Sequence, residues 1–300
     1  MKILLFGPNG QLGKTLLNTC PKEIEIIRCG RDIVDLCNPE QIHNYIIKTK
    51  ANFVINSAAF TAVDNAELES ELAFRINSEA PKVISNAVSE IGSSLIQIST
   101  DYVFDGAKNT PYNPADYINP LGIYGKSKAK GEEYVLKYKN NYVIRTSWLY
   151  GDYGKNFCIT MLKLHKEKSL ANVPLRVISD QIGAPTSTYS LSRVCWKIIN
   201  FLSKSKPIPS LLHWCDAGVA SWYDFAYAIG ELGVEKGLIS ESARVLPIKS
   251  IDYKTIAKRP HFSLLNCEVS KDILEEDQYH WRSELKKVMN KIKTNGNFVI

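Results

Sequence analysis

Short apolar runs alternate with longer amphipathic stretches through the first half of the chain. The apolar runs predict strands at residues 3–7, 24–27, 53–56, 95–99 and 142–146. Helical periodicity between them predicts helices at residues 11–18, 39–50, 66–90 and 124–138, with an interruption at Pro81. Strands that are apolar throughout are typical of a parallel sheet covered on both faces. The pattern therefore predicts an α/β fold built on a Rossmann-type, doubly wound parallel sheet.

Beyond residue 150 the pattern is looser. Helices are predicted at residues 157–168, 187–202, 221–232 and 281–292, with short strands near 176–178 and 211–215. We therefore expect a larger domain over residues 1–150 and a smaller α/β lobe over residues 151–300. Two segments of the second half, about 176–205 and 211–217, are expected to return to the first domain.

Composition narrows the class of protein. Seven cysteines, an odd number without a CxxC pair, are typical of reduced thiols in a cytoplasmic protein. The net charge of +6 allows a nucleic-acid surface, but the basic residues are spread along predicted helices, which favours solvated helix faces. Apolar runs are too short for a membrane helix or a signal-peptide core. We expect a cytoplasmic protein with no nucleic-acid or membrane partner.

A glycine-rich loop, GPNGQLG, joins the first predicted strand to the first helix, with Gly7, Gly10 and Gly13 in it. Glycines at this junction let backbone N–H groups approach a pyrophosphate, which then faces the positive end of the helix. The loop predicts that residues 1–150 form an NAD(P)-binding domain. Its end also matches part of the GxxxxGK[ST] loop of NTPases, but Pro8 stands where that motif needs glycine.

The segment after the second strand indicates which cofactor is bound. An acidic residue there favours NAD, whereas arginine accepts the 2′-phosphate of NADP. This chain has Arg28 and Arg31, with no acid before Asp32. We expect NADPH, with NADH as an alternative cofactor, and we expect Asp35 and Leu36 near the adenine.

Tyr124 and Lys128 lie four residues apart on a predicted helix and therefore share one face. A lysine cation at about 4 Å stabilises a phenolate by roughly 4 kcal/mol, which predicts a pKa of Tyr124 low enough for acid–base catalysis. Thr100 ends the fourth predicted strand, at the edge of the sheet where parallel α/β folds bind ligands. Its hydroxyl is expected to hold a substrate carbonyl beside Tyr124.

A glycine loop, a strand-end hydroxyl and a YxxxK helix, in this order, resemble the extended short-chain dehydrogenase/reductases. Within that superfamily the chain resembles the dTDP-4-dehydrorhamnose reductases. The segments that carry this resemblance are GPNGQLG, VINSAAFTAVDNAE (54–67), STDYVFDG (99–106), NPLGIYGKSKAKGE (119–132), RTSWLYG (145–151), SDQIGAPTS (179–187), SWYDFA (221–226) and RPHFSLLN (259–266).

The resemblance implies a role for individual residues. The catalytic group would be Thr100, Tyr124 and Lys128, with Tyr124 as proton donor. The cofactor would be lined by Gly7, Asn9, Gly10, Gln11, Leu12, Asp35, Leu36, Ala58, Ala59, Thr61, Tyr124 and Lys128, with Arg31 added by the charge argument. The sugar nucleotide would contact Val63, Thr100, Asp101, Tyr102, Tyr124 and Trp148. Val63 and Trp148 also fit ordinary packing positions, and Asn9 fits an ordinary turn.

The implied activity is NADPH-dependent reduction of the C4 keto group of dTDP-4-dehydro-L-rhamnose, a step of dTDP-rhamnose biosynthesis, with residues 151–300 as the substrate-binding lobe. A 4,6-dehydratase is disfavoured because Asp101 and Tyr102 follow Thr100, where dehydratases have Asp-Glu. Two alternatives stay open. One is the reduction of another nucleotide-linked 4-keto sugar, and the other is a non-catalytic regulatory subunit like that of methionine adenosyltransferase.

Some members of the family share a divalent cation at a dimer contact. Here Lys14, Thr15 and Tyr189 stand where the carboxylates for that cation belong. We therefore expect no metal, and either a monomer or a homodimer.

Overall fold

The structure is a computed structural model that describes residues 1–296. Its strands are β1 (Lys2–Phe6), β2 (Glu25–Cys29), β3 (Phe53–Asn56), β4 (Ser94–Thr100), β5 (Tyr142–Thr146), β6 (Leu149–Tyr150), β7 (Leu175–Ile178), β8 (Ile182–Gly183), β9 (Thr186–Ser187), β10 (Leu211–His213), β11 (Ala220–Ser221) and β12 (Val245–Ile248). Its α-helices are α1 (Gln11–Asn18), α2 (Pro39–Thr49), α3 (Val63–Leu68), α4 (Ser70–Phe74), α5 (Ala80–Glu90), α6 (Ile123–Val135), α7 (Phe157–Leu170), α8 (Thr188–Ser203), α9 (Trp222–Glu235), α10 (Glu268–Leu274) and α11 (Trp281–Asn295).

Six parallel strands form the central sheet in the order β2-β1-β3-β4-β5-β10. Alternate side chains of β1 enter two different cores, as the pleat requires. Ile3 and Leu5 pack with residues of α1 and α8, whereas Leu4 and Phe6 pack with residues of α2 and α5. The sheet is therefore covered on both faces, and the predicted Rossmann-type α/β fold is confirmed.

The strand order reverses between β1 and β3, because β2 lies on one side of β1 and β3 on the other. Parallel α/β sheets bind their ligands at the carboxyl ends of the strands beside such a switch point. In this chain those ends lead into the glycine loop at Gly7 and the loop that begins at Ser57. The fold therefore places the two cofactor segments side by side.

The second half of the chain builds a separate core around α7, α9 and α11. Two of its segments join the first half, since β10 extends the central sheet and α8 packs against α1. Residues 176–178 were expected to return with them, but β7, which contains these residues, pairs instead with β12 of the lobe. Leu274 of α10 reaches the core beside the central sheet, a return that the pattern did not indicate.

The helical stretch predicted over 66–90 is interrupted earlier than expected. The interruption lies at Glu69, between α3 and α4, and Pro81 sits in the first turn of α5 without ending the helix. A π-helical segment, Arg75–Glu79, directly precedes that turn. The wider π turn accommodates a proline that has no N–H to donate. No helix within residues 1–296 is long and apolar enough to cross a membrane.

Candidate active site

The glycine loop brings the backbone close to the loop after β3. Gly7 has a positive φ of 77°, and a Cβ there would lie 2.8 Å from the Ala58 nitrogen. A Cβ on Gly13 would collide with the Gly7 carbonyl, so α1 reaches the loop only because that position is glycine. Gly10 stands at the N-cap of α1, whose free N–H groups therefore open towards the loop. This is the geometry that suits a pyrophosphate.

A cavity of about 240 Å³ opens beside this loop. Among its lining residues are the predicted Gly7, Asn9, Gly10, Arg31, Asp35, Leu36, Ala58 and Ala59. Seven further lining residues were not predicted. Six of them neighbour predicted residues along the chain, whereas Ile76 comes from the π-helical segment and is brought there only by the fold; the seven are Phe6, Pro8, Cys29, Gly30, Val34, Cys37 and Ile76. Cavities of about 520 and 590 Å³ lie elsewhere, but neither is lined by the glycine loop or the Tyr124 helix.

Five of the predicted cofactor residues do not line this cavity. Two of them lie on α6 and are described with the catalytic group below. Leu12 is buried in the core between α1 and the sheet. The Gln11 side chain donates from Nε2 to the Leu149 carbonyl at 3.1 Å. Thr61 lies exposed in the loop between β3 and α3. Any contact of Leu12 with a cofactor would therefore be made by its backbone.

Of the two arginines that the sequence offers for the 2′-phosphate, only Arg31 lies in the lining of the cavity. Arg28 belongs to β2, where it pairs with Leu5, and it does not line the cavity. Arg31 does line it. The Arg31 guanidinium is exposed, and together with the glycine loop it fits the phosphate on the adenosine of NADP.

The residues predicted to be catalytic converge at the carboxyl end of β4. Thr100 is its last residue, and its hydroxyl donates to Asp101 Oδ1 at 3.1 Å and accepts from the Tyr102 nitrogen at 3.2 Å. Tyr124 and Lys128 lie on α6, which packs on β4. Lys128 is buried, and its Nζ donates to the Ile98 carbonyl of β4 at 2.6 Å. The helix is thereby tied to the strand that carries Thr100.

The predicted lowering of the pKa of Tyr124 by Lys128 was wrong. Burial raises the pKa of Tyr124 to about 12, against an opposing hydrogen bond from Thr100, and the charge of Asp101 adds to the rise. Lys128 is not among the groups that alter this pKa, because its ammonium is directed to Ile98. The pKa of Lys128 is itself lowered by burial to about 8, while Glu132 opposes that change. Tyr124 thus keeps its proton at neutral pH, as a proton donor must.

Asp101 adds a buried carboxyl to the site. Burial raises its pKa to about 7, and hydrogen bonds from Ser263 and Thr100 oppose the rise. A carboxyl with this pKa changes its charge near neutral pH, directly beside the Thr100 hydroxyl.

Asn77, which the sequence did not single out, connects the cofactor loop to the catalytic helix. It lies buried in the π-helical segment, accepts from the Phe60 nitrogen at 2.8 Å and donates to the Phe60 carbonyl at 3.0 Å. It also donates to Ser127 Oγ on α6 at 3.1 Å. Glu67 of α3 accepts from the Ile123 nitrogen at 2.7 Å, which satisfies the start of α6. These bonds hold the helix against the loop that begins at Ser57.

Trp148 has a positive φ of 45°, a strained conformation for a bulky residue. It is held there by the Thr186 nitrogen, which donates to its carbonyl at 3.2 Å. Its ring stacks on Trp222 of α9 with centroids 3.6 Å apart. The two tryptophans therefore connect the end of the central sheet to the lobe, and Trp222 was missed because its partner lies far along the chain.

The three positions considered for a shared cation make other contacts. Thr15 Oγ1 donates to Thr188 Oγ1 at 2.9 Å, and the Tyr189 hydroxyl donates to Asp152 at 3.3 Å. Lys14 lies with its ammonium 5.6 Å from the centre of the Tyr153 ring. Within residues 1–296 no three His, Cys, Asp or Glu side chains come together as a metal site.

A doubly wound parallel sheet, a glycine loop at its switch point and a YxxxK helix beside a strand-end threonine define a dehydrogenase/reductase of the extended short-chain class. The family model described as RmlD substrate binding domain matches residues 1–294. The chain belongs to this family.

Relatives and solved structures agree with this assignment. A dTDP-4-dehydrorhamnose reductase of Aggregatibacter actinomycetemcomitans is 34% identical over 291 residues, which are 96% of this chain and 98% of the relative. The crystal structure of a dTDP-4-dehydrorhamnose reductase from Clostridium acetobutylicum is 36% identical with a TM-score of 0.87, and the match covers 98% of this chain and 100% of the other. That of the Bacillus anthracis enzyme in complex with NADP is 31% identical, with a TM-score of 0.88 and coverage of 97% and 99%.

Proposed function

We propose that this protein is an NADPH-dependent oxidoreductase that reduces the C4 keto group of dTDP-4-dehydro-L-rhamnose to give dTDP-L-rhamnose. The observation that carries the proposal is the convergence of Thr100, Tyr124 and Lys128 at the carboxyl end of β4, in the same sheet whose β1 end carries the glycine loop and its cavity. Membership of the family and relatives of this name over nearly the full length support the choice of substrate.

NADPH supplies the hydride when it is bound. Gly7, Gly10 and the first turn of α1 would hold its pyrophosphate, and Arg31 its 2′-phosphate. Asp35, Leu36, Ala58 and Ala59 would line the adenosine, and Asn9 and Thr61 would lie at the edges of the site. NADP in the structure of the Bacillus anthracis relative supports this cofactor over NADH.

The chain's own groups would handle the proton. Tyr124 would donate its phenolic proton to the carbonyl oxygen of the sugar as negative charge develops there. Because burial keeps the pKa of Tyr124 at about 12, the proton is present at every physiological pH. Thr100 would orient the same oxygen by a hydrogen bond, and Lys128 would place a positive charge near the cofactor ribose. Asp101 would hold the Thr100 hydroxyl in position.

The lobe would bind the rest of the sugar nucleotide. We infer that Val63, Tyr102 and Trp148 contact it, with the stacked pair of Trp148 and Trp222 as an apolar surface. Residues 1–150 would form the cofactor domain, and the lobe would comprise the remaining residues except α8, β10 and α10, which pack with the central sheet.

The deciding experiment is turnover of purified dTDP-4-dehydro-L-rhamnose with NADPH, followed at 340 nm, with the product identified by NMR. The proposal predicts dTDP-L-rhamnose and little activity with UDP-linked 4-keto sugars. Preference for another nucleotide-linked 4-keto sugar would reassign the substrate. Absence of turnover with every such sugar, together with binding to a methionine adenosyltransferase, would favour the regulatory alternative.

We further infer a cytoplasmic protein that acts without nucleic acid or membrane, as a monomer or a homodimer. Seven cysteines that form no disulfide support a reducing compartment. Light scattering during size-exclusion chromatography would distinguish monomer from dimer.

A further inference from the structure

Asp64 and Arg259 lie in two of the segments that carry the family resemblance, yet neither has a role in the proposed reaction. They are 195 residues apart in the sequence and form an ion pair. Arg259 Nη2 donates to Asp64 Oδ2 at 2.6 Å, and Nη1 donates to Asp64 Oδ1 at 3.3 Å. The pair therefore joins α3 of the cofactor half to the segment between β12 and α10.

Backbone contacts around the pair hold the guanidinium in one orientation. Arg259 Nη1 also donates to the Ala257 carbonyl at 3.2 Å, and the Ala257 nitrogen donates to Asp64 Oδ1 at 3.0 Å. The Arg259 side chain is only 18% exposed. By contrast, the pair of Arg282 and Glu231 has the same 2.6 Å separation, but both of its side chains are 45% exposed. A bidentate, partly buried ion pair of this kind fixes the orientation of the guanidinium.

Arg259 also lies beside the Tyr102 hydroxyl, close enough that its charge opposes the rise in the pKa of Tyr102 caused by burial. Tyr102 contacts both Tyr124, the proposed proton donor, and Thr100, which would orient the sugar oxygen. Its ring meets the Tyr124 ring edge-on, with centroids 5.6 Å apart and planes at 75°, and its backbone nitrogen donates to the Thr100 hydroxyl. Asp64, Arg259 and Tyr102 therefore form a continuous line of contacts that ends on the catalytic groups.

We propose that Arg259, held by Asp64, is a positioning residue that keeps Tyr102 in place and thereby sets the Tyr124 ring and the Thr100 hydroxyl for proton transfer. This inference rests on the proposed reductase function. A displacement of about 1 Å in a reacting group costs as much as 10²-fold in rate, so a loosened Tyr102 acts on kcat rather than on substrate affinity. Direct binding of the substrate diphosphate by Arg259 would act on KM instead.

The test compares kcat and KM of wild type with Arg259→Lys, Asp64→Asn and the double variant. Lysine keeps the charge but loses the two-pronged bond. We expect each single variant to lower kcat about 10- to 100-fold with little change in KM, and the double variant to be no worse than the poorer single one. Asp64→Glu keeps the carboxylate and should retain more kcat than Asp64→Asn. Arg282→Lys, at the matched exposed pair, should behave as wild type.

A raised KM for the sugar nucleotide in Arg259→Lys, with Asp64→Asn unchanged or tighter, would overturn the proposal in favour of direct binding. Wild-type kcat in both single variants would also overturn it.

A second measurement does not depend on turnover. Amide hydrogen exchange over residues 100–106 should be faster in Arg259→Lys and Asp64→Asn than in wild type, and unchanged in Arg282→Lys. Unchanged exchange in the first two variants would overturn the positioning role. If the wild-type protein had no reductase activity, the proposed function would be contradicted. The hydrogen-exchange result would still test whether Arg259 and Asp64 hold Tyr102 in place.

Discussion

The pH dependence of the proposed reaction is set by Lys128. Burial lowers the pKa of this lysine to about 8, whereas an exposed lysine has a pKa of about 10.4. The charged form is the one that would place a positive charge near the cofactor ribose, so activity should be lost as pH rises through this pKa. With a pKa of about 8, roughly nine-tenths of the side chains are charged at pH 7 and roughly one-tenth at pH 9. We therefore expect kcat/KM to fall about tenfold between pH 7 and pH 9.

The assay is NADPH oxidation at low substrate concentration between pH 6 and pH 10. Lys128→Met should be slow and should lack this basic limb. Lys130→Met serves as the matched control, because Lys130 lies on the same helix but is paired with Glu133 at the surface, and its limb should match wild type. Asp101→Asn is measured in parallel, since the pKa of Asp101 is raised to about 7 and falls in the same window. A wild-type profile that is flat from pH 7 to pH 9, or an unchanged limb in Lys128→Met, would refute the assignment.

Three further predictions concern the cofactor, metal and stability. Arg31→Asp should shift the ratio of kcat/KM for NADPH over NADH by about tenfold or more towards NADH. Arg28→Asp, outside the cavity, should not, and equal ratios in the Arg31 variant and wild type would contradict the role of Arg31. Activity should survive EDTA, because Thr15 and Tyr189 are not the carboxylates that a shared cation needs; a loss restored by Mg²⁺ would show otherwise. Burial raises the pKa of Asp216 to about 8, whereas an aspartate in the unfolded chain loses its proton near pH 4. Between about pH 4 and pH 8 the folded state therefore keeps a proton that the unfolded state has released. The free energy of unfolding consequently falls as pH rises through this range. Urea unfolding at pH 5 and pH 8 should therefore show Asp216→Asn to be less pH-dependent and, at pH 8, more stable than wild type; a steeper dependence would contradict this pKa.

Local sequence signals predicted much of the cofactor half. The helix at 11–18 and the strands at 53–56 and 142–146 have the bounds that the apolar pattern indicated. These elements carry strong local signals, namely glycines before the helix and fully apolar strands. The eight predicted residues around the 240 Å³ cavity also follow from local signals, because they stand after the ends of three neighbouring strands, β1, β2 and β3.

Contacts between distant segments were not predictable in the same way. The ammonium of Lys128 donates to the carbonyl of Ile98, 30 residues earlier in the chain. This hydrogen bond directs the charge of Lys128 away from Tyr124, although the two residues are spaced to share one helix face. Asn77 stands in a π-helical turn that no periodicity marks. Trp222 is distinguished only by its stacking on Trp148. In each case the partner is chosen by packing of the folded chain, which the local pattern does not record.

The most direct test of the proposed chemistry is the rate of Tyr124→Phe with dTDP-4-dehydro-L-rhamnose and NADPH. Phenylalanine keeps the ring against Tyr102 and removes only the phenolic hydroxyl, with the proton that it would donate. General acid catalysis contributes about 10²–10⁴-fold, so kcat should fall by that factor while the Kd for NADPH, measured by fluorescence, stays unchanged. Reduction of the substrate by Tyr124→Phe at close to the wild-type rate would contradict the assignment of Tyr124 as the proton donor.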